Sequence, residues 1–337
     1  MIDRLPYAWG EPPLRGRLRV EFADFTVNEQ LGFGATGSGE HWLLYIEKRG
    51  ANTQWAVQRL ANFSGVAARD VGYAGLKDRH ALTRQYLSVP VRKGAPVDWR
   101  QFADPELRVL SAERHSRKLQ RGALRGNEFV LTLRDLQGER AAAEVVLAQI
   151  AAHGVPNYFG EQRFGRGGRN VEKAVALFAG ARFAHHERSL LLSAARSEIF
   201  NAVLSARVQR GDWNRAQPGD VFQLNGRSAI FGPEPITELL RTRLQSGEIH
   251  ATGPLWGQGE LRSGEGVRIL ELAIAERYAE LTTGLVKVGM DQDRRALRVL
   301  PQALEWVWLD PATLQIRFAL PAGAYATVVL RELLQTE

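Results

Sequence analysis

The chain predicts an α+β fold: a mixed, largely antiparallel sheet domain assembled from both chain ends, with a second domain inserted between them. Three observations carry this reading. Strand-like alternation dominates the first half, a helical middle follows from about residue 171, and strand character returns between residues 295 and 320. A length of 337 residues suits one large domain or two. With 45% hydrophobic and 24% charged residues the composition is that of a chain that buries a core.

The elements follow in chain order. Leu18, Val20 and Phe22 alternate with polar residues, as do Trp42, Leu44 and Ile46, which predicts two early strands that each bury one face. Between them, Gly32-Phe-Gly34-Ala-Thr-Gly37 matches G-x-G-x-x-G, a fingerprint that needs a helix opening directly after it. The strand-like EHWLLYIEK follows instead, so the glycines read as a hairpin loop. Thr53 is placed to cap a helix running to about Phe63, with Trp55, Val57, Leu60 and Phe63 as its apolar positions. Strand-like runs at 71–73 and 85–91 flank the tight segment AGLKDRHALTR. Further strands are expected at 107–113 and 128–134, and a helix over 139–152.

Past Val155, helices are expected near 171–179, 189–209, 234–246 and 265–281, interrupted by a hairpin at Asn225-Gly226. Strands at 295–299, 304–309 and 313–320, with a turn at Asp310-Pro311, precede a short closing helix from Ala324.

Several chemistries lack their residues. The chain has no cysteine, which removes disulfides, thiolate metal sites and thiol nucleophiles. None of the seven histidines stands in an H-x-x-x-H or H-E-x-x-H arrangement, so no metal site is expected. Neither a G-x-S-x-G elbow nor a G-x-x-x-x-G-K-[ST] phosphate loop occurs. The first thirty residues contain no apolar stretch of signal-peptide length, and no segment approaches the ~20 apolar residues of a membrane helix. A cytoplasmic protein with no membrane contact is the expectation.

The net charge of +7 comes from 38 arginines and 6 lysines against 37 acidic residues. Arginine suits phosphate through its planar fork, although a GC-rich genome inflates arginine as well. Two runs concentrate the charge. Arg114, Arg117, Lys118, Arg121 and Arg125 occur with no acidic residue among them, fitting either a phosphate backbone or an edge strand guarded by charge. Arg163, Arg166 and Arg169, among glycines and after Tyr158 and Phe159, combine phosphate contacts with stacking faces, as where RNA is gripped. A buried aromatic turn would place Tyr158 and Phe159 equally well.

Asp78 is the sharpest candidate for chemistry. A lone carboxylate in a short loop between strands, flanked by Lys77 and Arg79, favours its ionised form and is placed to act as nucleophile or base. A turn-forming or ion-paired surface aspartate gives the same pattern. In extended chain Lys77 and Arg79 point away from Asp78, so its cationic partner is to be sought elsewhere.

At this segment the chain resembles the TruD family of tRNA pseudouridine synthases. The resemblance rests on separated blocks in order. They are Asp24-Phe25-x-Val27 with Gly39-Glu40-His41 and Asn52-Thr53; AGLKDRHALT at 74–83; Lys118-Leu119 with Gly126-Asn127-x-Phe129; VPNYFGEQRFG at 155–165; SAARSEIFN at 193–201; and LPAGAYATVVLREL at 320–333. It implies a pseudouridine-synthase sheet domain from residues 1–152 and 300–337, with an inserted α/β TRUD domain over 153–299. It implies that Asp78 is the catalytic aspartate, that Phe25, Asn127 and Tyr325 line the uridine pocket, and that Arg19 matches a position that is basic in the family. We take Arg19 as the remote partner of Asp78.

The resemblance further implies a monomeric enzyme with tRNA as its partner, isomerising uridine-13, with glutamate tRNA as substrate, and needing no cofactor and no metal. That reaction breaks the bond between uracil N1 and the ribose, turns the base and rejoins it through C5. It calls for a carboxylate, a pocket that retains the detached base and exclusion of water. Two other readings of the same residues stay open here: an RNA-binding protein without catalysis, and, more weakly, a methyltransferase.

Overall fold

The computed structural model describes residues 5–92 and 97–336, apart from the Arg166 side chain. By its internal contacts the chain divides into two compact units. One comprises Leu14–Glu139, Pro301–Gly323 and the chain from Leu334 on; the other comprises the chain up to Pro13, Arg140–Leu300 and Ala324–Leu333.

The first is a sheet unit. Its strands are β1 (Leu14–Leu18), β2 (Phe25–Leu31), β3 (His41–Arg49), β4 (Gly72–Tyr73), β5 (Leu82–Pro90), β6 (Leu107–His115), β7 (Leu124–Gly138) and, numbered along the whole chain, β14 (Gln302–Asp310), β15 (Thr313–Pro321) and β16 (Leu334–Thr336). The order is β14-β15-β7-β2-β5-β3-β6, with β4 beside β5 and β1 bridging β7 and β16. Among the described residues of this sheet only the β2–β5 and β1–β16 pairs run parallel, so the sheet is mixed and largely antiparallel.

Helix α1 (Thr53–Ser64) covers one face. Its Ala56, Val57 and Leu60 pack against Leu44, Ile46, Leu87 and Val89 of β3 and β5, the apolar alternation that defines β3 in the sequence.

Three local expectations are corrected. Asn52, not Thr53, caps α1: its side chain accepts from the Trp55 amide at 2.8 Å, and Gly65 ends the helix in the left-handed conformation (φ 68°). The glycine segment 32–39 is not a hairpin, because β5 lies between β2 and β3. The alternation Leu18-Val20-Phe22 is not one strand. β1 ends at Leu18, Arg19 takes a left-handed φ of 64°, and a 3-10 turn over Phe22–Asp24 leads into β2, leaving Val20 and Phe22 exposed.

The second unit is mostly helical. Helices α2 (Arg140–His153), α3 (Arg169–Phe178), α4 (His185–Gln209), α5 (Glu238–Gln245), α6 (Glu265–Arg277), α7 (Ala279–Lys287) and α8 (Ala326–Leu330) accompany a sheet of β9 (Phe222–Leu224), β10 (Ile230–Phe231), β11 (Ile249–Leu255) and β12 (Asp293–Ala296), ordered β10-β9-β11-β12. A further pair joins β8 (Val155–Pro156) to β13 (Arg298–Val299). Leu191, Ala195 and Ile199 of α4 pack on Ala174 of α3 and on Leu281 and Leu285 of α7. The single helix expected over 265–281 is two, parting at Tyr278, whose ψ of 35° leaves the helical range. The Asn225-Gly226 segment turns the β9–β10 hairpin, with Gly226 at φ 70°. Among the described residues no helix is long and apolar enough to cross a membrane.

One titrating group is built into this unit. His250 on β11 is buried; Arg298 Nε donates to its Nδ1 at 3.2 Å, so the ring proton sits on Nε2 and faces Asn225 Oδ1 at 3.2 Å. Burial, followed by the Arg298 charge, pushes its pKa from 6.5 down to about 3. Between those two values the unfolded chain binds a proton that the folded chain does not, so stability falls as pH falls through that window. His250 therefore accounts for about 2 kcal/mol of lost stability between pH 7 and pH 5. Urea unfolding of His250→Gln at the two pH values is expected to show that much less acid sensitivity than the parent; equal sensitivity would exclude His250 as the source.

Candidate active site

The loop 74–81 joins β4 to β5 and carries Asp78. Irregular chain at the end of a hairpin is mobile unless its polar groups are tied down, and here buried groups hold it from several sides. The Lys77 amide donates to Thr53 Oγ1 at 2.9 Å, and Thr53 Oγ1 donates to Gln85 Oε1 at 3.0 Å. The Lys77 ammonium pairs with Glu29 Oε2 of β2, both side chains buried, while Glu29 Oε1 accepts from the Tyr86 amide at 3.0 Å. From β3, the fully buried Lys48 donates from Nζ to the main-chain oxygens of Ala51 at 2.6 Å and Asp78 at 3.0 Å. The loop's first carbonyl, Ala74 O, accepts from the Gly122 amide at 2.8 Å.

With Lys77 turned into the protein and Arg79 exposed, the Asp78 carboxylate is left half-exposed. Its ion-pair partner is Arg19, 59 positions away, with Nη2 at 3.0 Å from Oδ2. Lys77 is committed to Glu29, and Arg79 Nε reaches Gly50 O at 3.3 Å. Arg19 adopts its left-handed backbone directly after β1 and lays its guanidinium 4.0 Å from the Phe25 ring centroid. Phe25 itself is buried, edge-on to Phe129 at 6.3 Å. The turn that delivers it is pinned by buried Asp24, which accepts from the Glu21 amide at 2.8 Å and takes both Nε and Nη2 of Arg134.

Asn127 lies on β7, opposite Glu29 of β2 and Leu320 of β15. Its Oδ1 is buried and has no hydrogen-bond partner among the described residues, a cost a protein seldom carries without a use for the group. Gly126 beside it lets the strands close: a Cβ there would run into Leu320 O. Arg19, Phe25, Asp78 and Asn127 thus all belong to the sheet unit.

Tyr325 belongs to the other unit, at the start of α8, where its hydroxyl accepts from Arg163 Nη2 at 2.8 Å. Arg163 also donates to Ser193 Oγ at 2.9 Å and lies 5.3 Å from the Phe159 ring centroid. Tyr158 and Phe159 are buried, as an aromatic turn would be.

The basic run of the sheet unit is divided in its roles. Arg114 donates to Gly39 O and covers Trp42, Lys118 donates to Arg69 O at 2.7 Å, and Arg121 donates to Tyr73 OH at 2.8 Å. Arg117 and Arg125 are exposed, as is Arg169 in the helical unit; the Arg166 side chain lies outside what the structure describes. Among the described residues no three His, Asp or Glu side chains converge as a metal site.

Sequence reasoning missed Lys48, Glu29 and Asp24 as builders of the site. Lys48 had a signal: it continues the Trp42-Leu44-Ile46 alternation, so it points inward. Burial, opposed by the Asp78 charge, pushes the Lys48 ammonium from 10.5 down to about 8.

The family model described as tRNA pseudouridine synthase D (TruD) matches residues 1–178 and 168–333. The tRNA pseudouridine synthase D of Xanthomonas campestris pv. campestris (strain B100) is 48% identical over 344 residues, covering 98% of this chain and 94% of that one. That of Methylococcus capsulatus is 47% identical over 337 residues, covering 99% and 95%. The crystal structure of a putative tRNA pseudouridine synthase D from Methanosarcina mazei shares the fold, with a TM-score of 0.72 at 23% identity over 97% of this chain and 95% of that one.

The buried Glu29–Lys77 pair makes a quantitative expectation. Glu29→Gln keeps an acceptor for the Tyr86 amide but strands the Lys77 charge, and it should lower unfolding stability by about 3 kcal/mol. Denaturant titration measures this, and a change under about 0.5 kcal/mol, the size of an ordinary surface substitution, would mean the pair is not a structural tie.

Proposed function

Because the chain belongs to the TruD family of tRNA pseudouridine synthases, we propose that it isomerises uridine-13 of tRNA, glutamate tRNA included, with Asp78 as the catalytic group. Membership makes the chain an isomerase; the target uridine, the tRNA species and the residue roles are this proposal's own. The single observation that carries the Asp78 reading is a half-exposed carboxylate on a loop tied to buried structure through Lys77 and the Asp78 carbonyl, with Arg19 3.0 Å away.

The chemistry follows from those groups. The uracil N1–C1′ bond breaks, the base turns within the pocket, a C5–C1′ bond forms, the C5 proton leaves and N1 takes one up, so substrate and product are isomers. Asp78 supplies the carboxylate at the sugar, as nucleophile or as proton acceptor. Arg19 orients one of its oxygens through a charge-assisted bond. Phe25 offers an aromatic face to the base; because the Arg19 guanidinium covers that face at 4.0 Å, stacking requires Arg19 to slide aside. The unpartnered Oδ1 of Asn127 suits the uracil N3–H, and its amide N–H suits a uracil carbonyl. Tyr325 is proposed to take part in base recognition through the aromatic body of its side chain, its hydroxyl being engaged by Arg163. The target base must leave its stack, which contacts along the RNA backbone offset.

The inserted TRUD domain is proposed to span 153–299, which lies wholly within the helical unit. The protein is taken to work as a cytoplasmic monomer. Of the basic residues proposed to meet the RNA backbone, Arg114, Lys118, Arg121 and Arg163 each also brace another part of the chain, so their removal disturbs more than binding. Exposed Arg117, Arg125 and Arg169 are the clean reporters, and Arg166 joins them by sequence.

Asp78→Asn preserves shape and removes the charge. With saturating tRNA transcript it should lose at least about a thousandfold in single-turnover rate while its tRNA affinity stays within about threefold; turnover at the parental rate would remove Asp78 from the mechanism. The double variant Arg117→Glu, Arg125→Glu should weaken tRNA binding and reduce the slope of log affinity against log salt by about one for each RNA phosphate that is no longer neutralised. An unchanged slope would take these two side chains off the RNA path.

A further inference from the structure

We propose that Lys48 is a positioning residue for the isomerisation, fixing the main chain of Asp78 from beneath and so setting where its carboxylate stands. The inference rests on Asp78 being the catalytic group.

Lys48 is the charged member of an otherwise apolar strand face: Leu44 and Ile46 precede it on the buried side of β3, and all three are fully enclosed. A lysine is enclosed at the cost of its hydration and its rotamer freedom. Its ammonium makes no ion pair among the described residues; the partners it has are two main-chain oxygens, Ala51 O at 2.6 Å and Asp78 O at 3.0 Å.

Those oxygens belong to two chain segments flanking the site. Ala51 follows β3 and precedes the Asn52 cap of α1; Asp78 stands in the β4–β5 loop. One Nζ therefore clamps the Asp78 peptide to the strand-to-helix junction. The Asp78 side chain turns the other way, to Arg19, so its carboxylate is located by a cation at one end and by Lys48 through the backbone at the other. Charged groups near Lys48 are Asp78 itself and Lys77, the latter neutralised by Glu29.

Two N–H groups suffice for the two bonds, so the neutral amine serves as well as the ammonium, and the requirement is for a donor of this reach. Removing it leaves Asp78 O without this buried donor and frees the peptide to shift. A misplacement of about 1 Å at a reacting group costs about a hundredfold in rate.

The test is a double-mutant cycle on single-turnover rate with saturating tRNA transcript, with tRNA affinity measured separately and Asp78→Asn as control. Lys48→Met keeps the stem and removes the donor. It is expected to lower the rate about a hundredfold with affinity within about twofold. Asp78→Glu displaces the carboxylate by another route. If Lys48 acts through the position of Asp78, the two substitutions are not additive: the double variant should be no more than about threefold slower than the slower single one. A double variant showing the full product of the two losses assigns Lys48 an independent structural role and overturns the proposal. So does a Lys48→Met enzyme at the parental rate while Asp78→Asn is inactive. An active Asp78→Asn enzyme would instead overturn the reading of Asp78. Should Lys48→Met not fold, the cycle is run with Lys48→Gln, a polar side chain too short to bring its amide to both oxygens, under the same criteria.

Discussion

The buried pair between Glu29 and Lys77 is the tie on which the site depends. It joins β2 to the loop that carries Asp78 in a place where neither side chain meets solvent, and a charge left alone there costs several kcal/mol. Because Glu29 also takes the Tyr86 amide, one carboxylate holds β2, β5 and the loop together. The parallel β2–β5 pairing, rare in a largely antiparallel sheet, makes this possible: it sets Thr26 against Leu82 and so brings the end of the loop beside the start of β2. Lys48 and Thr53 complete the fastening from β3 and α1. A half-exposed carboxylate thereby gains the positional definition of a core residue.

A second constraint acts from the other side of Asp78. Arg19 sits in a left-handed backbone conformation that a residue with a side chain adopts at a cost of about 1–3 kcal/mol. It ends β1 and swings the guanidinium over Phe25 and onto Asp78. The pair between buried Asp24 and half-exposed Arg134 holds the turn that follows, so the strain is confined between two fixed points. Aromatic ring, cation and carboxylate thus stand together within one unit, with Arg19 the member that must move for a base to reach the ring.

How much of this is legible in the sequence follows from where side chains meet. Alternation on one face announces β3, and separated strand runs around a helical middle announce the division into a sheet unit and a helical unit. β11, with IHATGPL buried at nearly every position, shows no alternation, because both its faces are covered. The glycine segment 32–39 reads as a hairpin because local sequence does not record that β5, forty residues on, enters between its flanking strands. The Asn52–Thr53 pair shows the same limit at closer range: both residues can cap a helix, and the tertiary demand of the Lys77 amide takes Thr53 and leaves the cap to Asn52. The search for a remote cation beside Asp78 follows from chain geometry, whereas the commitment of Lys77 to Glu29 does not, since nothing local distinguishes a paired lysine from a solvated one. Of the five charges in the basic run at 114–125, three brace loops and strands, a division that composition has no means to express.

The chemistry proposed for this chain is the transfer of the ribose bond of one tRNA uridine from N1 to C5, carried out by its own side chains. The most direct measurement is release of tritium from a tRNA transcript labelled at uracil C5, followed with the purified protein alone and combined with mapping of pseudouridine in the product. One tritium released per tRNA, with a single pseudouridine at position 13, is the predicted result. Label retained on C5 in tRNA that the protein demonstrably binds would contradict it.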